Sequence, residues 1–155
     1  MANSYSKIYI HLILVVKNRA SFIQKAWKEE LFKYITGIVQ NKGHKLVAIG
    51  GVADHIHILI GLNVNEKISD LVKAIKNATN GWINDRNLTS SKFYWQQGYG
   101  AFSHSHGNLD TVAKYVLKQE EHHRKKTFKE EYKNLLKEFE VEYKEEYLFE
   151  FLDEG

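Results

Sequence analysis

The chain has no cysteine and no proline, a single methionine, and no long apolar stretch. Without Cys there is no disulfide framework, no thiolate zinc site and no thiol nucleophile, so any metal must be held by nitrogen and oxygen. At average usage a protein of this length would carry roughly eight Pro, so a Pro-rich linker is excluded and a continuous, compact chain is expected. The longest apolar run, Leu12 to Val16, is far too short for a membrane span. The polar opening Met-Ala-Asn-Ser-Tyr-Ser-Lys lacks the basic and apolar regions of a signal peptide. A cytoplasmic protein is therefore expected, and 155 residues suit one domain covering 1–155.

The net charge of +3 conceals two opposed blocks. Residues 1–126 carry 18 Lys/Arg and 9 Asp/Glu, whereas residues 127–155 carry 4 and 10. A basic body with an acidic tail, about 139–155, points to a polyanionic partner such as nucleic acid, although solvated helix faces produce the same count.

From Tyr5 to Lys17 the residues alternate, with Ile8, Ile10, Leu12, Leu14 and Val16 on one face and Tyr9, His11, Ile13 and Val15 on the other. Both faces are largely apolar, which predicts a central strand. The period changes over 25–41, where Trp27, Leu31, Tyr34, Ile35 and Ile38 mark an amphipathic helix ended by Gly43. Lys45 to Ile49 and His55 to Ile60 read as a hairpin joined by residues 50–54. Asn65 is expected to cap a second helix whose stripe is Ile68, Leu71, Val72, Ile75, Thr79 and Trp82, with Lys73 and Lys76 outward. An aromatic, Gly-interrupted stretch, 93–105, feeds a fourth strand. Asn108 is expected to cap a third helix with Leu109, Val112, Ala113, Val116 and Leu117 inward, and a charged helix runs from Phe128 to about Glu138 before a short strand or docking tail. The order β-α-β-β-α-β followed by helices predicts an α+β protein. It is the ferredoxin-like, or RRM-like, split arrangement: an antiparallel sheet with helices on one face and extra C-terminal helices. This fold names no function by itself.

In a strand, His55 and His57 project from the same face while Ile56 points away. Two such imidazoles can chelate a divalent metal, or simply sit as hydrogen-bonded polar groups. On the third helix Tyr115 and Gln119 are i, i+4 neighbours on the flank of the apolar stripe. There a tyrosine either rests its ring at the stripe's edge or overhangs a site on the sheet. Together these residues suggest a tyrosine nucleophile, Tyr115, beside a metal held by His55, His57 and Gln119. Mg²⁺ or Mn²⁺ suits that mixed donor set, and would neutralise charge on a phosphodiester under attack by a phenol.

Asp54-His55-Ile56-His57, the second helix with Lys73 and Lys76, Trp95-Gln96-Gln97-Gly98-Tyr99, and the run Lys114-Tyr115 through Gln119 to His122-His123 resemble the insertion sequence 200-like single-tyrosine transposases of the HUH superfamily. Lys17-Asn18-Arg19 matches as well. The resemblance implies a dimeric enzyme that recognises hairpins in single-stranded DNA and cleaves through a 5′-phosphotyrosine, leaving a free 3′-OH and rejoining strands by the reverse attack. It implies Tyr115 as nucleophile, His55, His57 and Gln119 as metal ligands, and a tyrosine helix able to serve the partner subunit's site. Lys17, Arg19, Lys73 and Lys76 would contact DNA by analogy, and Arg124, in a basic cluster after His122-His123, is a phosphate-contact candidate. One departure is Ala53, where the family usually has Pro.

The remaining candidates read less specifically. His104-Ser105-His106 has no matching third ligand, His122-His123 reads as a solvated helix end, and His11 reads as a structural histidine. Tyr94, Trp95 and Tyr99 are split between base stacking and core. The alternatives to a transposase are a non-catalytic single-stranded nucleic-acid-binding module, and a host-retained relative acting on repeated genomic hairpins.

Overall fold

The computed structural model describes residues 3–152. Strand β1 (Tyr9–Val15) is followed by a 3-10 turn at Arg19–Ser21 and helix α1 (Lys25–Asn41), then β2 (Lys45–Gly51) and β3 (His55–Gly61). After these come α2 (Ile68–Asp85), β4 (Gly100–His104), α3 (Leu109–Leu117), the short α4 (Gln119–His122) and α5 (Phe128–Glu138). The four strands form one antiparallel sheet in the order β2-β3-β1-β4. This is the expected ferredoxin-like arrangement, and β1 is interior because both its faces are apolar enough to be covered.

One face of the sheet, with Leu12 and Leu14 from β1 and Ile56, Ile58 and Ile60 from β3, packs against α1 and α2. Leu31, Ile35, Leu71 and Ile75 supply the helical half of that core and are fully buried, each contributing roughly 1.5–3 kcal/mol. The opposite face is divided. Val116 of α3 packs on Ala48 and Leu59, over β2 and β3. Phe128, Tyr132 and Leu136 of α5, with Phe149, pack on Ile13, Val15 and Phe102, over β1 and β4. His11, His55 and His57 belong to this second face.

Several local expectations are corrected. Asn65 does not cap α2, which starts at Ile68 after Lys67 with no side-chain cap, and Ile83 rather than Trp82 completes its buried stripe. The Asn108 side chain caps nothing; Ser105 accepts from the Asn108 amide instead. Gly50 and Gly51 belong to β2 rather than to the hairpin turn. The third helix breaks at Lys118, and Leu117 is 64% exposed because the break turns it away from the sheet. The acidic end forms no strand among the described residues. It is a docking tail, anchored by Phe149 and Leu152 and clipped by Gln96, whose side chain donates to Glu150 O (2.8 Å) and accepts from Glu150 N (2.8 Å). Lys76 is half-buried rather than turned outward, because its ammonium donates to the carbonyls of Gln96 (2.8 Å) and Gly98 (2.6 Å).

Candidate functional site

The β-strand alternation that sends Ile56 into the α1/α2 core turns His55 and His57 to the other face, where both are fully buried. His55 Nδ1 lies 2.8 Å from Asp54 Oδ1, so the carboxylate fixes this ring and leaves Nε2 facing inward. Burial opposes a charge on His55, but the bonds to Asp54 and Glu131 prevail and raise it to about 9. His57 is lowered, because burial outweighs its bond to Glu131.

Glu131 arrives from α5, on the same helical face as Phe128 and Tyr132. Its Oε1 lies 3.0 Å from His57 Nε2 and 3.5 Å from His55 Nε2; its Oε2 lies 3.2 Å from His123 Nε2 and 3.1 Å from His122 Nε2. Burial works to raise its pKa, yet His123, His55 and His57 hold the carboxyl far below the usual range. It is an anion surrounded by imidazoles.

Tyr115 stands edge-on to His57, with ring centroids 5.7 Å apart, and to His122 at 5.0 Å. Burial, then the Glu131 carboxylate, push its phenol well above the ordinary value against a smaller pull from Gln119. The resting phenol is therefore protonated. Gln119 is buried, its Oε1 accepting at 3.0 Å from His123 Nε2 and its amide donating at 3.0 Å to Tyr115 O. The expected residues thus meet in one place, with Gln119 joined to the imidazoles through His123.

A donor set larger than the expected one results. His55, His57, His123 and Glu131 bring their ligand atoms within 4.8 Å of one another, a nitrogen-rich group suited to a divalent transition metal. His55 Nε2 and Glu131 Oε2 are buried and, beyond ion-pair contacts at 3.1–3.5 Å, make no well-aligned hydrogen bond among the described residues. Buried polar atoms are rarely left so, and a cation among them would satisfy both, so the residues fit a metal. His122-His123, read from sequence as a solvated helix end, instead lines this centre. Glu131 was missed altogether, and its signal was a carboxylate on the apolar stripe of an amphipathic helix.

A further histidine extends the site. His11 is buried with Nε2 2.6 Å from His57 Nδ1, and its Nδ1 is 3.3 Å from His104 Nε2. Burial, with His57 and His104 adding to it, keeps His11 well below its ordinary pKa. His106 takes a separate path and meets the Tyr9 hydroxyl at 3.0 Å. A cavity of ≈ 410 Å³ opens beside the cluster, lined by His11, His104, Tyr115 and Glu131 with Asn108 and Asn134.

Of the nucleic-acid candidates, Arg124 directly follows His123 and lines a surface cavity with it. Lys17, Arg19, Lys73 and Arg124 are exposed, and the Lys17 ammonium sits over Tyr94, 5.6 Å from the ring centroid. Trp95 is core, donating to Thr79 Oγ1 at 2.9 Å, while Tyr94 and Tyr99 are exposed.

Fold and site define an α+β protein of ferredoxin-like topology with a candidate metal centre beside a phenol. Residues 4–119 match the family described as "Transposase IS200 like", and the chain belongs to that family. No curated protein matches it. Among solved structures it is similar to a Deinococcus radiodurans R1 protein assigned as a transposase, with 22% identity and a TM-score of 0.60 over 75% of this chain and 93% of that one. It is also similar to a REP-associated tyrosine transposase bound to a REP hairpin, with 15% identity and a TM-score of 0.54 over 75% of this chain and 68% of that one. These likenesses reinforce the fold. The family match ends at Gln119, so His123 and Glu131 lie beyond it. No described helix is long and apolar enough to cross a membrane.

Proposed function

We propose that the protein is a metal-dependent tyrosine transposase that cleaves and rejoins single-stranded DNA at hairpin-bearing ends in the cytoplasm, its whole chain acting as one domain. The observation that carries this is Tyr115 standing edge-on to His57, 5.7 Å between ring centroids, over a buried cluster whose ligand atoms lie within 4.8 Å of one another. His55 and His57, with Glu131 and His123 and with Gln119 close by, would hold Mg²⁺ or Mn²⁺. When bound, the metal supplies charge neutralisation on the non-bridging phosphate oxygens.

The chain's own groups account for the rest. Tyr115 Oη attacks phosphorus, the bond from phosphorus to the 3′ oxygen breaks, and the products are a 5′-phosphotyrosine and a 3′-OH. The phenol loses its proton to solvent as it attacks, while Glu131, whose carboxylate bears on that phenol, stays ionised among the imidazoles. The reverse attack by a 3′-OH releases Tyr115 and rejoins DNA. Asp54 holds the His55 ring, and Gln119 ties His123 to the helix that carries Tyr115. Exposed Lys17, Arg19, Lys73 and Arg124 would meet phosphates, whereas Lys76 shapes the 96–98 loop. Tyr115 and the imidazoles meet within one chain, which favours action in cis. A homodimer, implied by the resemblance, would present two such centres.

The test is a labelled oligonucleotide carrying a hairpin and its flanking single strand, incubated with Mn²⁺ or Mg²⁺. A covalent protein–DNA adduct is expected from the wild type and none from Tyr115→Phe; equal behaviour of the two would sink the assignment.

A further inference from the structure

We propose that His11 is a positioning residue for the candidate metal centre, accepting the Nδ1–H of His57 so that His57 Nε2 faces the metal, and that His104 fixes His11 in turn. The proposal rests on the metal reading given above.

A ligating imidazole is aimed by whatever its second nitrogen bonds. His55 has a carboxylate for this, Asp54, at 2.8 Å. His57 has none. Its Nδ1 faces His11 Nε2 at 2.6 Å, with the rings inclined by 28° and both residues buried. The sheet register explains the meeting. His57 pairs with Ile13 and His11 with Leu59, so the two histidines are diagonal neighbours on one face of adjacent strands. The same relation recurs one strand further: His11 pairs with Phe102 and Tyr9 with His104, which brings His104 Nε2 within 3.3 Å of His11 Nδ1.

Only one arrangement of protons satisfies the row. A lone pair on His57 Nε2 for the metal puts its proton on Nδ1. His11 then presents a lone pair at Nε2 and carries its proton on Nδ1, directed at His104 Nε2. Each neutral ring donates from Nδ1 and accepts at Nε2, and the row runs from the metal centre to the cavity beside Tyr115, which His104 lines. A neutral imidazole orients His57 without adding a second negative charge next to Glu131. A purely structural histidine would not need this direction of donation, since a leucine among Ile13, Val15 and Phe102 would fill the same face.

The test compares His11→Leu, which removes the acceptor, with His11→Gln, whose side-chain oxygen can reach the place of Nε2. Mn²⁺ affinity is measured by calorimetry without DNA, alongside circular dichroism and melting of the metal-free proteins. Loss of such an orienting partner typically weakens metal binding about 10–100-fold; that loss is expected for His11→Leu, with His11→Gln close to wild type. Long-range ¹H–¹⁵N spectra of the Zn²⁺-loaded wild type should show the proton on Nδ1 of both His57 and His11. Unchanged Mn²⁺ affinity in His11→Leu, equal loss in both variants, or ligation of His57 through Nδ1 would overturn the proposal. Should His11→Leu fail to fold, the spectra still decide the link to His57, and His104→Phe, at the half-buried end of the row, is expected to weaken binding several-fold. Wild-type affinity in that variant would remove His104 from the row. A wild type that binds no Mn²⁺ would overturn the metal reading itself, whereas equal binding by His11→Leu would overturn only the role of His11.

Discussion

Gly50 and Val116 meet backbone to backbone: a Cβ on Gly50 would overlap the Val116 carbonyl oxygen and crowd Leu117 Cα at 3.3 Å. Gly50 is the residue opposite His57 in the β2–β3 ladder. The missing side chain therefore lets the last turn of α3 settle on the sheet next to His57, and Tyr115, one residue before Val116, is delivered to the imidazoles.

Gly50→Ala should push α3 off the sheet. Overpacking of this kind costs about 1–3 kcal/mol, which corresponds to a melting temperature lower by roughly 2–12 °C for a chain of this size. Adduct formation should fall further than hairpin binding, because the tyrosine moves while the exposed basic residues do not. Calorimetry and the adduct assay check the two halves, and unaltered melting would contradict the close approach.

Metal should stabilise the fold, and Glu131 should govern by how much. A ligand at 100 times its dissociation constant adds about 2.7 kcal/mol, so Mn²⁺ should raise the melting temperature by several degrees over chelator-treated protein. Glu131→Gln should reduce that rise. Its metal-free form should also melt lower, since removing one partner of a buried charged group costs about 3–5 kcal/mol. Differential scanning fluorimetry with and without metal reads both effects.

The metal-free protein should lose stability as pH rises. The folded-state pKa of His55, about 9, lies above its ordinary value of 6.5, so the stabilising contribution is complete below pH 6.5 and fades as pH passes through 9. The shift corresponds to about 3 kcal/mol at most. Asp54→Asn should flatten this slope, as shown by melting temperatures in chelator from pH 6 to pH 10. A slope unchanged by the substitution would assign the effect elsewhere.

Gln96 should secure the tail. Its side chain donates to Val16 O at 3.1 Å as well as to Glu150 O, and accepts from Glu150 N. Gln96→Ala removes all three bonds at about 0.5–1.5 kcal/mol each. Limited proteolysis and hydrogen exchange around 144–152 should accelerate, with exchange in β3 unaffected.

Much of the scaffold was legible because it follows from periodicity. The two-faced alternation around Leu12 announced an interior strand, and α1 and α5 run over the residues their apolar spacing marked. Capping was misread at Asn65 and Asn108, since a capping residue type does not by itself produce a cap when the chain enters the helix elsewhere. Of the candidate site, His55 and His57 were legible from strand alternation and Tyr115 with Gln119 from helical spacing. Glu131 was not, because it meets His57 across 74 residues of chain and only tertiary packing brings α5 onto the sheet. His11 was visible as a polar residue in an apolar row, but its pairing with His57 depends on strand register, which a single sequence does not specify.

That separation of Glu131 from His57 also has a meaning for the nascent chain. At about 5–20 residues per second of translation, the carboxylate leaves the ribosome roughly 4–15 seconds after the imidazole it will meet. During that interval the emerging sheet carries His11, His55 and His57 with Asp54 as their one carboxylate neighbour, and Phe149, which helps hold α5 in place, comes later still. The strand histidines are thus synthesised well before the helix and tail that cover them.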